Sequence, residues 1–115
     1  MPRNIYLNST EELIKYINEG IPNESLIILD SALEQFQFHN NFNVSHVYLQ
    51  VSEETKNLET IEKIWDLMFS SNLNRSDEIV VIGGGVMLDL CSFAASTYKR
   101  GIAFTLVPST LLAMV

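Results

Sequence analysis

A chain of 115 residues, 47% of them hydrophobic and 18% charged, is about one domain long and too apolar to remain disordered. Seven basic residues against fourteen acidic leave a net charge of −7, a field that repels phosphate backbones and argues against a nucleic-acid partner, while small anionic metabolites stay open. A single cysteine, Cys91, an N-terminus (MPRNIYLNSTEEL) without a signal-peptide core, and no apolar run near the roughly 20 residues that span a bilayer give the expectation of a soluble, cytoplasmic domain without disulfide or membrane contact.

Along the chain, strand and helix signals alternate. Residues 4–7 read as a short strand. Ser9 and Glu12 have capping-box spacing, Leu13, Ile14 and Ile17 follow at helical spacing, and Gly20 closes that helix. The apolar run 26–29 stops at Asp30, as a strand buried on both faces would. Residues 31–38 are weakly helical and the Asn-rich 39–43 a loop. A strand is expected over 47–51, then an amphipathic helix marked by Ile61, Ile64, Trp65 and Met68. Residues 79–82 form a third buried strand, followed by three glycines and a helix whose expected buried face is Val86, Leu90, Phe93, Ala94 and Thr97. A fourth strand over 103–107 ends at Pro108, and Ser109-Thr110-Leu111-Leu112 reads as another helix start.

This alternation predicts an α/β fold with a doubly wound, Rossmann-like parallel sheet. Ligands in such sheets bind outside the carboxyl ends of the strands. The segments that follow the strands directly (Asp30-Ser31, residues 52–56, 83–86 and 108–110) therefore share one edge, and they hold the small, hydroxylated and charged residues.

Gly83-Gly84-Gly85, just before a helix, leaves backbone N–H groups uncovered where the helix dipole is positive, an environment that suits a pyrophosphate. The spacing supplies two glycines of a dinucleotide-binding G-x-G-x-x-G, but Leu88 stands where the third belongs, and no Gly-Lys-Ser/Thr follows to make a Walker loop. By themselves the glycines leave two readings open, a phosphate cradle and a tight turn.

Longer patterns narrow the choice. The triplet and Val86 are followed by Asp89-Leu90, by Phe93, Ala95, Tyr98 and Arg100-Gly101 in the order Phe-x-Ala-x-x-Tyr-x-Arg-Gly, and by Val-Pro-Ser-Thr-Leu-Leu at 107–112. Upstream stand Glu53-x-x-Lys56 and Asn74-Arg75-Ser76-Asp77. This ordered set closely resembles the N-terminal part of the 3-dehydroquinate synthases, within the wider sugar-phosphate cyclases, strongly over residues 47–115 and only in topology before them. The resemblance implies a cofactor domain over 1–115 that belongs to a two-domain enzyme and binds NAD. Glu53, Lys56, Gly84, Gly85, Val86, Asp89, Ser109 and Thr110 would contact the cofactor, and Asp30 would accept the adenosine ribose hydroxyls. Arg100 would reach the phosphate of a sugar-phosphate substrate held by the neighbouring subunit, which requires a homodimer. The implied reaction converts a seven-carbon keto-acid phosphate, DAHP, to 3-dehydroquinate and phosphate in the shikimate route to aromatic amino acids. It proceeds by transient oxidation, elimination, re-reduction and an intramolecular aldol, with a divalent metal, zinc or cobalt, as Lewis acid.

The sequence departs from that pattern in places. The family's metal ligands, one Glu and two His, lie in a C-terminal helical domain. The two histidines here, His39 and His46, precede the glycines and lack helical ligand spacing, so no metal site is expected within these residues. The chain reads as a fragment, inactive when isolated. Ser109 replaces a Thr, Leu88 a small residue and Ser92 a Gly of the family pattern. Cys91 reads as a small buried hydrophobe, and Trp65, Phe69 and Tyr98 as core or interface rather than nucleotide stackers. Two other readings stand beside this one: a related cyclase that makes an aminocyclitol or valiolone precursor, and a non-catalytic nucleotide-binding or assembly fragment.

Overall fold

In the computed structural model, which describes residues 9–112, four strands form one parallel sheet. They are β1 (Leu26–Asp30), β2 (Ser45–Leu49), β3 (Glu78–Gly83) and β4 (Ala103–Pro108), in the order β2-β1-β3-β4. The helices are α1 (Thr10–Glu19), α2 (Leu58–Ser70) and α3 (Gly85–Thr97). The strand expected over residues 4–7 lies outside the described residues.

The continuous apolar runs of β1 and β3 are explained by cover on both sides. Leu26, Ile28, Ile79 and Val81 join one core with α2 and α3. Ile27, Leu29, Val80 and Ile82 join a second core with Leu13 and Ile17 of α1 and with Leu33 and Phe38 from the segment after β1. Each such side chain, fully buried, contributes about 1.5–3 kcal/mol. The sheet is therefore doubly wound. Its topology reverses at β1, which has β2 on one side and β3 on the other. After β1 the chain leaves over the α1 face; after β3 it leaves over the α2–α3 face. The two departures open a crevice at the carboxyl ends of β1 and β3, where ligands of open α/β sheets sit.

Local signals fix most helix boundaries. The Ser9 hydroxyl accepts the Glu12 N–H at 3.1 Å, and the Asn57 side chain accepts the Thr60 N–H at 3.0 Å, each satisfying one of the first-turn donors that a helix leaves unpaired. Gly20 closes α1 through its N–H to the Tyr16 carbonyl at 2.8 Å.

Four expectations need correction. β2 lies two residues earlier than 47–51, because its register is set by pairing Ser45 with Leu26 through to Leu49 with Asp30. It is an edge strand with a half-exposed pattern, so an apolar run marks it poorly. The segment after β1 is not α-helical but two 3-10 pieces, Ser31–Phe36 and Phe38–Asn41, separated by Gln37 in the left-handed region at φ 52°. The first is capped by Asp30, whose side chain accepts the Ala32 N–H at 3.0 Å. The segment after β4 is likewise only a 3-10 turn, Ser109–Leu111, within the described residues. In α3 the buried face is Met87, Leu90, Cys91, Ala94 and Ala95, about one residue round from the expected one, and Phe93 and Thr97 are exposed. This helix packs on both the sheet and α2 and is apolar nearly all round, so periodicity does not single out its buried side.

At the amino edge of the sheet, the fully buried Glu78 carboxylate accepts hydrogen bonds from Tyr16 of α1 and from the Thr105 hydroxyl of β4, the latter at 2.8 Å. The Glu78 N–H donates to the Ser25 hydroxyl at 2.9 Å. In the turn just before it, Asp77 accepts the Asn74 N–H at 2.8 Å. These bonds tie α1, β3 and β4 together at the edge opposite the glycines.

Candidate functional site

The three glycines have different reasons to be glycine. Gly83, the last residue of β3, pairs with Pro108 and is buried. A Cβ there would lie 2.7 Å from Met87 Cγ and 3.3 Å from Asp30 Cβ, so the close approach of β1 and α3 requires its absence. Gly84, at φ −86° and ψ −176°, has a backbone that any residue adopts, and a Cβ on Gly84 or Gly85 would meet nothing within 4 Å among the described residues. Neither conformation nor internal packing demands glycine at these two positions. What the missing side chains leave is open access to the first-turn N–H groups of α3, the donors that a helix leaves unpaired and that favour an anion. Such uncovered donors suit a phosphate.

Around the cradle the topology assembles most of the expected residues. Asp30, half-buried, ends β1 beside Gly83; its Oδ1 serves the Ala32 N–H, and Oδ2 has no hydrogen-bond partner among the described residues. Ser109 and Thr110 follow Pro108 on a 3-10 turn one strand further along. Glu53 and Lys56 stand on the loop after β2, where a 3-10 turn covers Glu53–Thr55. Lys56 reaches across to α3, its Nζ donating to Asp89 Oδ2 at 3.1 Å. The hydrogen bond and charge of Asp89, with a smaller contribution from Glu53, raise the Lys56 pKa above the ordinary lysine value. Both partners are solvent-exposed, so this pair places charge at the mouth of the site rather than stabilising the fold.

Arg100 is not part of this assembly. It lies beyond the far end of α3, a helix of 13 residues and so about 20 Å long, at the edge where β4 begins. Lys99, Arg100 and Gly101 have φ of 45°, 72° and 105°, an uncommon succession of left-handed residues that leaves Arg100 exposed.

Other expected residues take structural places. Burial alone pushes the Cys91 thiol up to about 12, which leaves it protonated and unreactive. The Trp65 indole N–H donates to the Ala94 carbonyl at 3.2 Å and the Thr97 hydroxyl at 3.1 Å, joining α2 to α3. The buried Tyr98 hydroxyl donates to the Leu73 carbonyl at 3.1 Å, whereas Phe69 is exposed. Among the described residues no group of three or more His, Cys, Asp and Glu could hold a metal ion.

Two features escaped sequence reasoning. His39 and His46 stack with centroids 4.8 Å apart, and His39 Nδ1 is 3.0 Å from the Tyr48 hydroxyl. Burial, and then the neighbouring His39, lower the His46 pKa. A groove of about 760 Å³ also runs from Lys56 and Asp89 between α2 and α3, lined by Leu58, Ile61, Leu90 and Phe93. Its signal was present in the sequence as Leu58 directly after a capping Asn57 and Phe93 one helical turn beyond Asp89.

Residues 46–115 match the family model of the 3-dehydroquinate synthase N-terminal region. The chain belongs to that family. 3-Dehydroquinate synthases of Campylobacter concisus and Clostridium botulinum are 39% and 37% identical to it over 114 and 113 residues, which cover 96% and 90% of this chain. These alignments extend into the first 46 residues, which the family model does not cover. The chain spans about a third of the length of these curated relatives, 32% in both cases. A solved 2-deoxy-scyllo-inosose synthase in complex with carbaglucose-6-phosphate, NAD+ and Co2+ superposes with a TM-score of 0.65 at 26% identity, over 84% of this chain and 29% of that one. A 2-epi-5-epi-valiolone synthase from Streptomyces hygroscopicus with NAD+ and Zn2+ bound gives a TM-score of 0.65 at 24% identity, over 73% of this chain and 26% of its own, which speaks to fold alone. The parallel four-stranded sheet is the N-terminal α/β domain of this fold family. No helix among the described residues is long and apolar enough to cross a membrane.

Proposed function

We propose that the chain is the NAD-binding domain of a 3-dehydroquinate synthase, a cytoplasmic enzyme that converts DAHP to 3-dehydroquinate and phosphate. The observation that carries this reading is the open cradle: two glycines whose missing side chains serve neither the backbone nor the core, at the N-terminus of α3 and at the switch point of the sheet. First-turn N–H groups of Gly84, Gly85 and Val86 bind the pyrophosphate. The second carboxylate oxygen of Asp30 accepts from the adenosine ribose, and Glu53, Lys56 and Asp89 orient the nicotinamide end. Ser109 and Thr110 supply hydroxyls from the adjacent strand end. Bound NAD+ supplies a reversible hydride acceptor, and this chain's residues hold and orient it.

Arg100, remote from the cradle on its own chain, serves the substrate phosphate of a neighbouring copy, so the assembly is a homodimer. The ligands of the divalent metal belong to a part of the enzyme beyond these residues, and the isolated chain is inactive. A related cyclase is the second reading, favoured by the likeness to 2-deoxy-scyllo-inosose synthase. Higher identity to the 3-dehydroquinate synthases favours the first.

Calorimetric titration of NAD+ into the 115-residue chain, beside Asp89→Ala, tests the cofactor assignment. Saturable binding, at least 10-fold weaker in the variant, is the expected result, since Asp89 both accepts from the cofactor and fixes Lys56 (a loss of this size is about 1.4 kcal/mol). No binding at millimolar NAD+ would overturn the claim that these residues alone form a cofactor domain.

A further inference from the structure

We propose that Thr55 is a positioning residue: its hydroxyl locks the loop after β2 in the shape that holds Lys56 against Asp89. As far as cofactor binding is concerned, this rests on the reading of the edge as an NAD site.

Residues 52–59 are all exposed, and the 3-10 turn Glu53–Thr55 contributes no buried residue. Among the described residues no side chain of this stretch joins either core, so its backbone shape depends mainly on bonds within itself. Those bonds converge on Thr55. Its Oγ1 accepts the Ser52 N–H at 2.9 Å and donates back to the Ser52 carbonyl at 3.0 Å, using both capacities of one hydroxyl on one residue. The Thr55 N–H also donates to the Ser52 carbonyl at 3.0 Å, and the Thr55 carbonyl accepts the Asn57 N–H at 2.9 Å. Asn57 in turn caps α2. The loop is thereby closed from Ser52 to the start of α2 without using the side chains of Glu53, Glu54 or Lys56.

The need for such a lock follows from the pair it serves. Lys56 and Asp89 are 33 residues apart, and both side chains are exposed. An exposed lysine loses much of the gain of an ion pair to side-chain entropy and screening, so it stays on its partner only where both backbones are fixed. α3 is fixed by the core; the Lys56 backbone is fixed by Thr55.

Thr55→Val keeps the shape of the side chain and removes the hydroxyl; Thr55→Ser keeps the hydroxyl. By nuclear magnetic resonance without nucleotide, Thr55→Val should return the Lys56 titration toward the ordinary lysine value and speed Ser52 amide exchange about 10-fold, while Thr55→Ser leaves both near wild type. NAD+ affinity should fall about 10-fold in Thr55→Val and by less than about 2-fold in Thr55→Ser. An unchanged Lys56 titration in folded Thr55→Val overturns the positioning role. If Lys56 moves as expected but wild type binds no NAD+, the positioning role stands and the cofactor reading falls. The exposed loop leaves the fold of both variants intact, to be checked by circular dichroism.

Discussion

At the amino edge of the sheet, Glu78 is fully buried and its hydrogen bonds run inward, to Tyr16 and Thr105, with Ser25 beneath its own N–H. At the carboxyl edge, Lys56, Asp89 and Thr110 are exposed, and two glycines have no neighbour at their Cβ positions among the described residues. One edge uses its polar groups on itself; the other leaves them to an incoming ligand. A parallel sheet divides this way because its helix N-termini, with their unpaired N–H groups, all meet at the carboxyl edge.

The largest effect should come from breaking the amino edge. Glu78→Ala removes the buried carboxylate that accepts from both the Tyr16 and Thr105 hydroxyls, and the loss should be about 2–4 kcal/mol in urea unfolding. The glycines then sharpen the contrast at the other edge. Gly83→Ala forces a methyl against Met87 and Asp30 and should lower stability by about 1–3 kcal/mol. Gly85→Ala meets no neighbour among the described residues and adds a better helix former, so stability should hold or rise by up to about 1 kcal/mol, while NAD+ affinity drops at least 10-fold. A Gly85→Ala chain that loses stability, or keeps its affinity, would remove the distinction between the two glycines.

The smallest effect concerns the histidine stack on the β2 edge. The His46 pKa is lowered in the fold, so the native state prefers the neutral ring. Its contribution is present above the unfolded value, about 6.5, and is lost as pH falls through the lower folded value. The urea midpoint should therefore drop modestly from pH 7.5 to pH 5, and His46→Gln should remove that part of the slope. Because His46 is largely exposed, the drop should be smaller than the Gly83→Ala effect.

These contrasts also mark what the sequence made legible. The runs 26–29 and 79–82 declared themselves because burial on both faces removes any need for alternation. The carboxyl-edge site was legible in outline, since strand ends that carry Asp30, Gly84 and Ser109 must meet once the strands are parallel. The Lys56–Asp89 pair was not: its partners are 33 residues apart, and only the ordered family motif put them in one place. Glu78 was missed because a carboxylate at the head of an apolar run looks like a surface charge until Tyr16 and Thr105 arrive from other elements. The turn of α3 was misjudged because a helix apolar nearly all round has no side to choose. His39 and His46 were seen as separate because a 3-10 turn and a strand start bring them together, a geometry with no sequence period.

Cys91 gives the chain its own clock. The only thiol sits in the core between α3 and the sheet, held protonated by burial. A thiol reagent can reach it only when that core opens, so labelling of the intact chain should proceed at the rate or population of opening rather than at the intrinsic rate of an accessible cysteine. A single absorbance trace would then time the breathing of this half of the domain, and cofactor binding should slow the trace in proportion to its affinity.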